Sequence, residues 1–264
     1  MYSVLVKGLG STTERIEVLW SCAPTGIGRE GAIVAQILFM MTGAEHWTLK
    51  DGTQHPTGFW AEEFLAPHEV FCEAGHEVVV ATPEGVVPTV DEASLRPDVV
   101  GGRENATAMA RAVAENPALQ APIRVDEVVL ADHVAVFLPG GHGPMEDLAV
   151  DPKAGGLLVS ALEAGVPLGV VCHAPAALLT CLRDDGSSVF AGYRLTAFTN
   201  EEEKQVGLAD KAPWLLQDRL VDLDVDFVEG EPWEPYVVRD RGLYSGQNPA
   251  SSAPLAAEIT RALG

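Results

Sequence analysis

The chain is short of positive charge, of cysteine and of long apolar runs, and each shortage removes a class of function. Only 17 lysines and arginines stand against 38 aspartates and glutamates, a formal net charge of −21 at pH 7. Such a surface repels phosphate backbones, so nucleic acid is not expected as a partner. A solvated acidic face that keeps the protein soluble accounts for the charge. The four cysteines, Cys22, Cys72, Cys172 and Cys181, form no CxxC pair, which suggests neither a disulfide framework nor a zinc knuckle. No apolar run approaches the roughly 20 residues that cross a bilayer, so no membrane partner is expected. The first residues lack the basic start, apolar core and small-residue cleavage site of a secretory leader, and the expectation is a cytoplasmic protein.

What is present is an alternation of two kinds of segment. Apolar runs of strand type occupy 36–41, 77–82, 134–138, 167–171 and 194–197, with a weaker one at 225–228. Helix-like runs occupy 58–74, 104–116, 152–164, 174–182, 201–222 (broken near Pro213) and 254–263. Near-continuous apolar strands alternating with helices argue for an α/β fold, a parallel sheet covered by helices on both faces. Val237-Val238, Arg239-Asp240-Arg241-Gly242 and Leu243-Tyr244 read as a β-hairpin near the C-terminus. The first 32 residues show no clear period and read as an extension, ahead of one domain over 33–264. Ligands in open α/β sheets bind beyond the carboxyl ends of the strands, here Thr42-Gly43, Thr82-Pro83, Pro139-Gly140-Gly141 and Cys172-His173.

Four segments carry chemistry. In Pro167-Leu168-Gly169-Val170-Val171-Cys172-His173-Ala174-Pro175 a strand ends in a thiol on a tight turn, with a small-residue helical run behind it. Unpaired N–H groups and the positive end of a helix dipole would favour a thiolate there, which makes Cys172 a candidate nucleophile. His173 is either its base or a residue whose N–H donates to an oxyanion. Gly140 and Gly141, directly after a strand, can present backbone N–H groups to developing negative charge. His142 beside them is equally a turn residue or a functional one. Glu63, at helical spacing from Phe59 and Trp60, can face an apolar pocket that raises its pKa, or sit in an ordinary acidic first turn. One of Glu201, Glu202 and Glu203, after Thr199-Asn200, can orient a histidine and complete a Cys-His-acid relay.

Together these segments resemble the ThiJ/PfpI superfamily of class I glutamine-amidotransferase-like folds. The resemblance is strongest to its branch of glutathione-independent glyoxalases (glyoxalase III), also described as stress chaperones. It covers about residues 34–262 and rests on Asp51-Gly52-Thr53-Gln54-His55-Pro56-Thr57-Gly58-Phe59-Trp60-Ala61-Glu62-Glu63, Leu138-Pro139-Gly140-Gly141-His142-Gly143, Val171-Cys172-His173-Ala174-Pro175 and Gly246-Gln247-Asn248-Pro249-Ala250-Ser251-Ser252. It implies a flavodoxin-like, doubly wound, mostly parallel sheet with Cys172 on a strand-to-helix nucleophile elbow. It also implies Cys172 as nucleophile, His173 as catalytic histidine, Glu63 as the helix-borne carboxylate on the thiol, and Glu203, rather than Glu202, as third acid. Two metal-ligand positions of larger members fall on Cys72 and Glu77 with no evident third, so neither a metal nor a cofactor is expected. The implied reaction turns methylglyoxal or a related small 2-oxoaldehyde into a 2-hydroxy acid such as D-lactate, with His173 moving the carbon-bound proton and Gly141 holding the oxyanion. A homodimer is the implied assembly. An amidase or amidotransferase-like activity, a protein deglycase, a chaperone and a redox sensor remain the competing expectations.

Overall fold

A computed structural model describes residues 35–264. The expected extension, residues 1–32, lies outside them. Seven strands form the main sheet: β1 (Gln36–Met40), β4 (Glu77–Thr82), β5 (Ile123–Arg124), β6 (His133–Leu138), β7 (Leu168–Val171), β10 (Val237–Asp240) and β11 (Leu243–Gly246). Two small ribbons, β2 (His46–Thr48) with β3 (Gln54–Pro56) and β8 (Arg194–Leu195) with β9 (Asp226–Phe227), stand apart from it. The sheet order is β10-β11-β7-β6-β1-β4-β5, and every neighbouring pair is parallel except the β10–β11 hairpin. The fold is thus the α/β, mostly parallel sheet expected, with its small antiparallel C-terminal strands. The apolar runs at 194–197 and 225–228 are a correction: they shorten to β8 and β9 and pair only with each other.

The helices are α1 (Ala61–Glu73), α2 (Arg103–Glu115), α3 (Pro117–Gln120), α4 (Pro152–Glu163), α5 (Asn200–Gln205), α6 (Leu216–Val221) and α7 (Ser252–Leu263). Strand residues alternate between faces, so the sheet divides the core in two. Ile37, Phe39 and Met41 point to the face covered by α1 and α7, whereas Leu38 and Met40 point to the face covered by α4. Phe39 is the hub of the first layer, with Phe64, Phe71 and Phe137 rings at 5.5, 5.9 and 5.0 Å. Truncating a ring so enclosed costs about 3–5 kcal/mol.

The chain winds from β1 outward to β4 and β5, then returns to lay β6 on the other side of β1 and continues to β7. The direction of winding therefore reverses between β1 and β6, where an open α/β sheet leaves a crevice at its carboxyl edge. The segments that follow β6 and β7 open there. The run expected as a helix at 174–182 is instead a seven-residue 3-10 helix, Ala174–Thr180, with Pro175 in its first turn. A piece this short and tight sums few aligned peptide dipoles, so the dipole expected to stabilise a thiolate is largely lost. Among the described residues no helix is long and apolar enough to cross a membrane.

Candidate active site

Cys172 follows β7 directly and adopts φ +59°, a left-handed conformation rare for a residue with a Cβ. The strain, about 1–2 kcal/mol, persists because both backbone groups are pinned. The Cys172 N–H donates to the Gly246 carbonyl at 3.0 Å, and its carbonyl accepts from the Phe198 N–H at 2.9 Å. A thiol is thereby lifted off the strand end into the crevice. Residues 172 and 173 are both almost fully buried.

Glu63, in the first turn of α1, is completely buried beside it. Its Oε2 accepts the Gly140 N–H at 2.7 Å. Its other carboxyl oxygen is buried without a hydrogen-bond partner, and the Cys172 thiol interacts with the carboxyl group. Burial pushes the Glu63 carboxyl up to about 8, with the thiol contact and the Gly140 N–H pulling the other way. Burial first, and the Glu63 charge second, hold the Cys172 thiol well above its ordinary range, while the Gly141 N–H lowers it. The resting thiol is therefore protonated, which corrects the expectation of a thiolate: desolvation by a dry pocket outweighs a weak helix end.

On the far side of the sulfur stands His173, whose Nδ1 lies 3.2 Å from Cys172 Sγ. Its Nε2 lies 2.7 Å from Glu203 Oε2. Burial first, and the neighbouring His142 second, lower His173 to about 4, against the pull of Glu203, so the ring is neutral at pH 7. Burial opposes ionisation of Glu203, but the two adjoining histidines outweigh it and hold the carboxyl below the usual carboxylate range. An ionised carboxylate only accepts, so His173 carries its proton on Nε2 and turns the Nδ1 lone pair to the thiol. The order across the site is a protonated Glu63, the Cys172 S–H, a neutral His173 and the Glu203 carboxylate.

Glu202, the neighbour weighed for the same place, points elsewhere. One of its oxygens caps α5 through Thr199, and the other accepts from the Trp233 N–H, the Gln247 amide and the Asn248 amide. That carboxylate ties the 231–236 loop to α5. Gly141, at φ +92°, turns the chain so closely under α1 that a Cβ would lie 2.4 Å from the Gly58 carbonyl. Its N–H reaches the sulfur. Gly140 does not share an oxyanion role: its N–H is spent on Glu63 and its carbonyl on the Trp60 N–H. That corrects the expectation of two donors from this turn.

Sequence reasoning left His142 open, and it missed the aromatic walls. His142 Nε2 sits 2.9 Å from Glu203 Oε1, and its ring stacks on Trp47 at 5.2 Å. A small crevice opens above the sulfur. Trp60, Phe198, Val206, Trp233 and Pro249 form its walls, and Gly141, His142, Cys172 and His173 its floor. Among the described residues no lysine or arginine lines it. The Gly140-Gly141-His142 turn was the one available signal for His142; nothing local announces that Phe198 and Trp233 converge from distant loops.

Of the two metal-ligand positions considered, the Cys72 sulfur lies 3.7 Å from His68 Nδ1, and neither Cys72 nor Glu77 belongs to a cluster of ligating side chains among the described residues. Among the described residues, His142, His173 and Glu203 are the group whose ligand atoms, all within 4.8 Å, could hold an ion. The same atoms already satisfy one another through N–H donors on a carboxylate.

A model of the DJ-1/PfpI family matches residues 56–262. Glyoxalase 3 of Candida albicans is 25% identical over 236 residues, 87% of this chain and 98% of that protein. Protein/nucleic acid deglycase HchA of Staphylococcus aureus (strain MRSA252) is also 25% identical, over 83% of this chain and 77% of that protein. The crystal structure of glyoxalase III from Candida albicans superposes with a TM-score of 0.75 at 24% identity, covering 87% of this chain and 97% of the other. With a match over most of its length and the same fold, the chain belongs to the DJ-1/PfpI family.

Proposed function

We propose that this protein converts methylglyoxal or a related small 2-oxoaldehyde to a 2-hydroxy acid, without glutathione, through a covalent adduct on Cys172. The observation that carries this reading is the order of Glu63, Cys172, His173 and Glu203, with Cys172 and His173 lining an apolar crevice. Cys172 sulfur adds to the aldehyde carbon, and the S–H proton passes through His173 Nδ1 to the former carbonyl oxygen. Protonated Glu63 donates toward the sulfur as it gains charge, and the Gly141 N–H beside the sulfur is the backbone donor for the developing oxyanion. The resulting hemithioacetal isomerises: the proton on C1 is removed and returned to C2, and the C1 hydroxyl proton moves to the C2 oxygen. Water then cleaves the thioester, releasing the hydroxy acid and restoring the thiol. Atoms balance as oxoaldehyde plus water to hydroxy acid. Glu203 is a fixed anion that stabilises the transient His173 imidazolium, and no cofactor enters the scheme.

Similarity to the HchA deglycase supports a second reading, in which the same thiol releases an aldehyde already attached to an amine or guanidine. The depth of Cys172, 4% exposed, favours a free small aldehyde over one carried on a protein surface. The experiment that separates them supplies methylglyoxal without glutathione in one arm and a pre-glycated arginine peptide, freed of methylglyoxal, in the other. Our reading expects D-lactate from the first arm at the higher kcat/KM. Lactate and free peptide from the second arm at the higher kcat/KM would overturn it in favour of the deglycase. A small-molecule substrate, absence of nucleic acid and membrane partners, homodimerisation and a cytoplasmic site belong to the same proposal.

A further inference from the structure

His173 has a single nitrogen to offer. Its Nε2 is held by Glu203 and its Nδ1 faces the Cys172 sulfur at 3.2 Å, the right place to carry the thiol proton. The isomerisation step moves a further proton, from C1 to C2, and a second imidazole beside His173 would carry it while His173 serves the sulfur. The geometry points to His142 as that group; this inference rests on the 2-oxoaldehyde reading and assigns its C–H step.

Glu203 holds the two rings in the same way. Oε2 accepts from His173, and Oε1 accepts from His142 Nε2 at 2.9 Å. In its neutral form a ring held this way carries its proton on Nε2 and keeps a lone pair on Nδ1. Among the described residues that Nδ1 has no hydrogen-bond partner, yet it is not one of the sealed, unsatisfied side-chain atoms. The ring lines the crevice together with Gly141, Cys172 and His173. Its plane is fixed by Trp47, stacked at 5.2 Å and 21°, and its centroid lies 4.0 Å from that of His173. Two imidazoles on one carboxylate form a device in which either ring can take a proton and find the anion waiting.

The division of labour follows. His173 moves the S–H proton to the aldehyde oxygen. His142 Nδ1 then accepts the C1 proton as the C1–H electrons become the C1–C2 double bond and the C2 carbonyl becomes an enediolate. His142 returns that proton to C2, and the C1 hydroxyl proton passes to the C2 oxygen, leaving the thioester. No oxidant is consumed, and both rings end as they began.

His142→Gln keeps an amide N–H directed at Glu203 and removes the Nδ1 base, which separates proton transfer from mere support. Lactate formation from methylglyoxal should fall about 100-fold or more, the scale of a lost general base. Alkylation of Cys172 by iodoacetamide should stay within about threefold of wild type, because the thiol and His173 are untouched. Methylglyoxal deuterated at C1 should show a larger isotope effect in the variant, whose C–H step has become limiting. Lactate formation within about threefold of wild type overturns the inference, as does alkylation that falls in step with turnover. If His142→Gln does not fold, His142→Ala with added imidazole replaces it: recovery of turnover supports the role and its absence overturns it. Wild-type protein that makes no lactate removes the 2-oxoaldehyde reading itself and this assignment with it.

Discussion

Replacing Glu63 with glutamine should make the protein more stable and less active, and the size of the first effect follows from burial. In the folded chain the Glu63 carboxyl titrates near 8, against an ordinary value of 4.5 when exposed on unfolding. Below pH 4.5 both states hold the proton and the residue costs nothing. Between pH 4.5 and about 8 the unfolded chain releases it and the folded chain does not, so stability falls as pH rises. At about 1.4 kcal/mol per pH unit, the loss at pH 7 is about 3 kcal/mol. Glutamine has no proton to release. Its carbonyl can accept the Gly140 N–H and its amide can face the sulfur, although one unmatched amide N–H returns about 1 kcal/mol of the gain. Glu63→Gln should therefore be about 2 kcal/mol more stable than wild type at pH 7, by urea unfolding. The variant should be slightly less stable than wild type at pH 4.5, by up to about 1 kcal/mol, and its advantage should grow up to pH 8 and level off above it. Turnover should fall at least about tenfold, because the amide donates toward the sulfur but cannot relay a proton. An advantage that does not vary with pH, or a variant less stable at pH 8 than wild type, would refute the reasoning.

Three further outcomes follow. Gly140→Ala should lower kcat/KM at least about tenfold and destabilise by about 1–3 kcal/mol, because its Cβ would meet the Val171 carbonyl, Glu63 Oε2 and the His173 N at 2.7–2.8 Å; steady-state kinetics and urea unfolding read both. The pH profile of kcat/KM should rise through about 4, where protonation of His173 blocks acceptance of the thiol proton, and fall through about 8, where Glu63 ionises beside the sulfur. A single limb, or midpoints near 6, would contradict that assignment. Glu202→Ala leaves the Thr199, Trp233, Gln247 and Asn248 donors without their shared acceptor and should cost about 3 kcal/mol or more, read by urea unfolding and a red shift of tryptophan emission as the 231–236 loop loosens.

The sheet was legible because its strands are nearly continuous apolar runs whose ends fall at glycine, proline or the Cys-His pair. Ile37, Phe39 and Met41 alternating with Leu38 and Met40 declared a strand buried on both faces. The runs at 194–197 and 225–228 carried the same local signal, but only the tertiary arrangement sets which edge a two-residue strand can reach. Cys172 could be placed on its turn, yet its charge state could not, because desolvation and the Glu63 contact act through space. The same limit applied to Glu63: an acid in a first helical turn is ordinarily solvated, and only the packing of α1 under the 140–141 turn buries it. Between Glu202 and Glu203 adjacent carboxylates project in different directions from α5, so one became a strap and the other a histidine partner. His142 stayed open since its role depends on Gly141 at φ +92° swinging it beneath Trp47.

The most direct test is D-lactate released from methylglyoxal without glutathione by wild type, by Cys172→Ala and by Cys181→Ala. Cys181, the other free thiol among the described residues, is buried and pushed up to about 12 by that burial, away from the crevice. Lactate from wild type and Cys181→Ala, and none above background from Cys172→Ala, is the predicted result. Lactate from Cys172→Ala at the wild-type rate, or none from any of the three, would contradict the account.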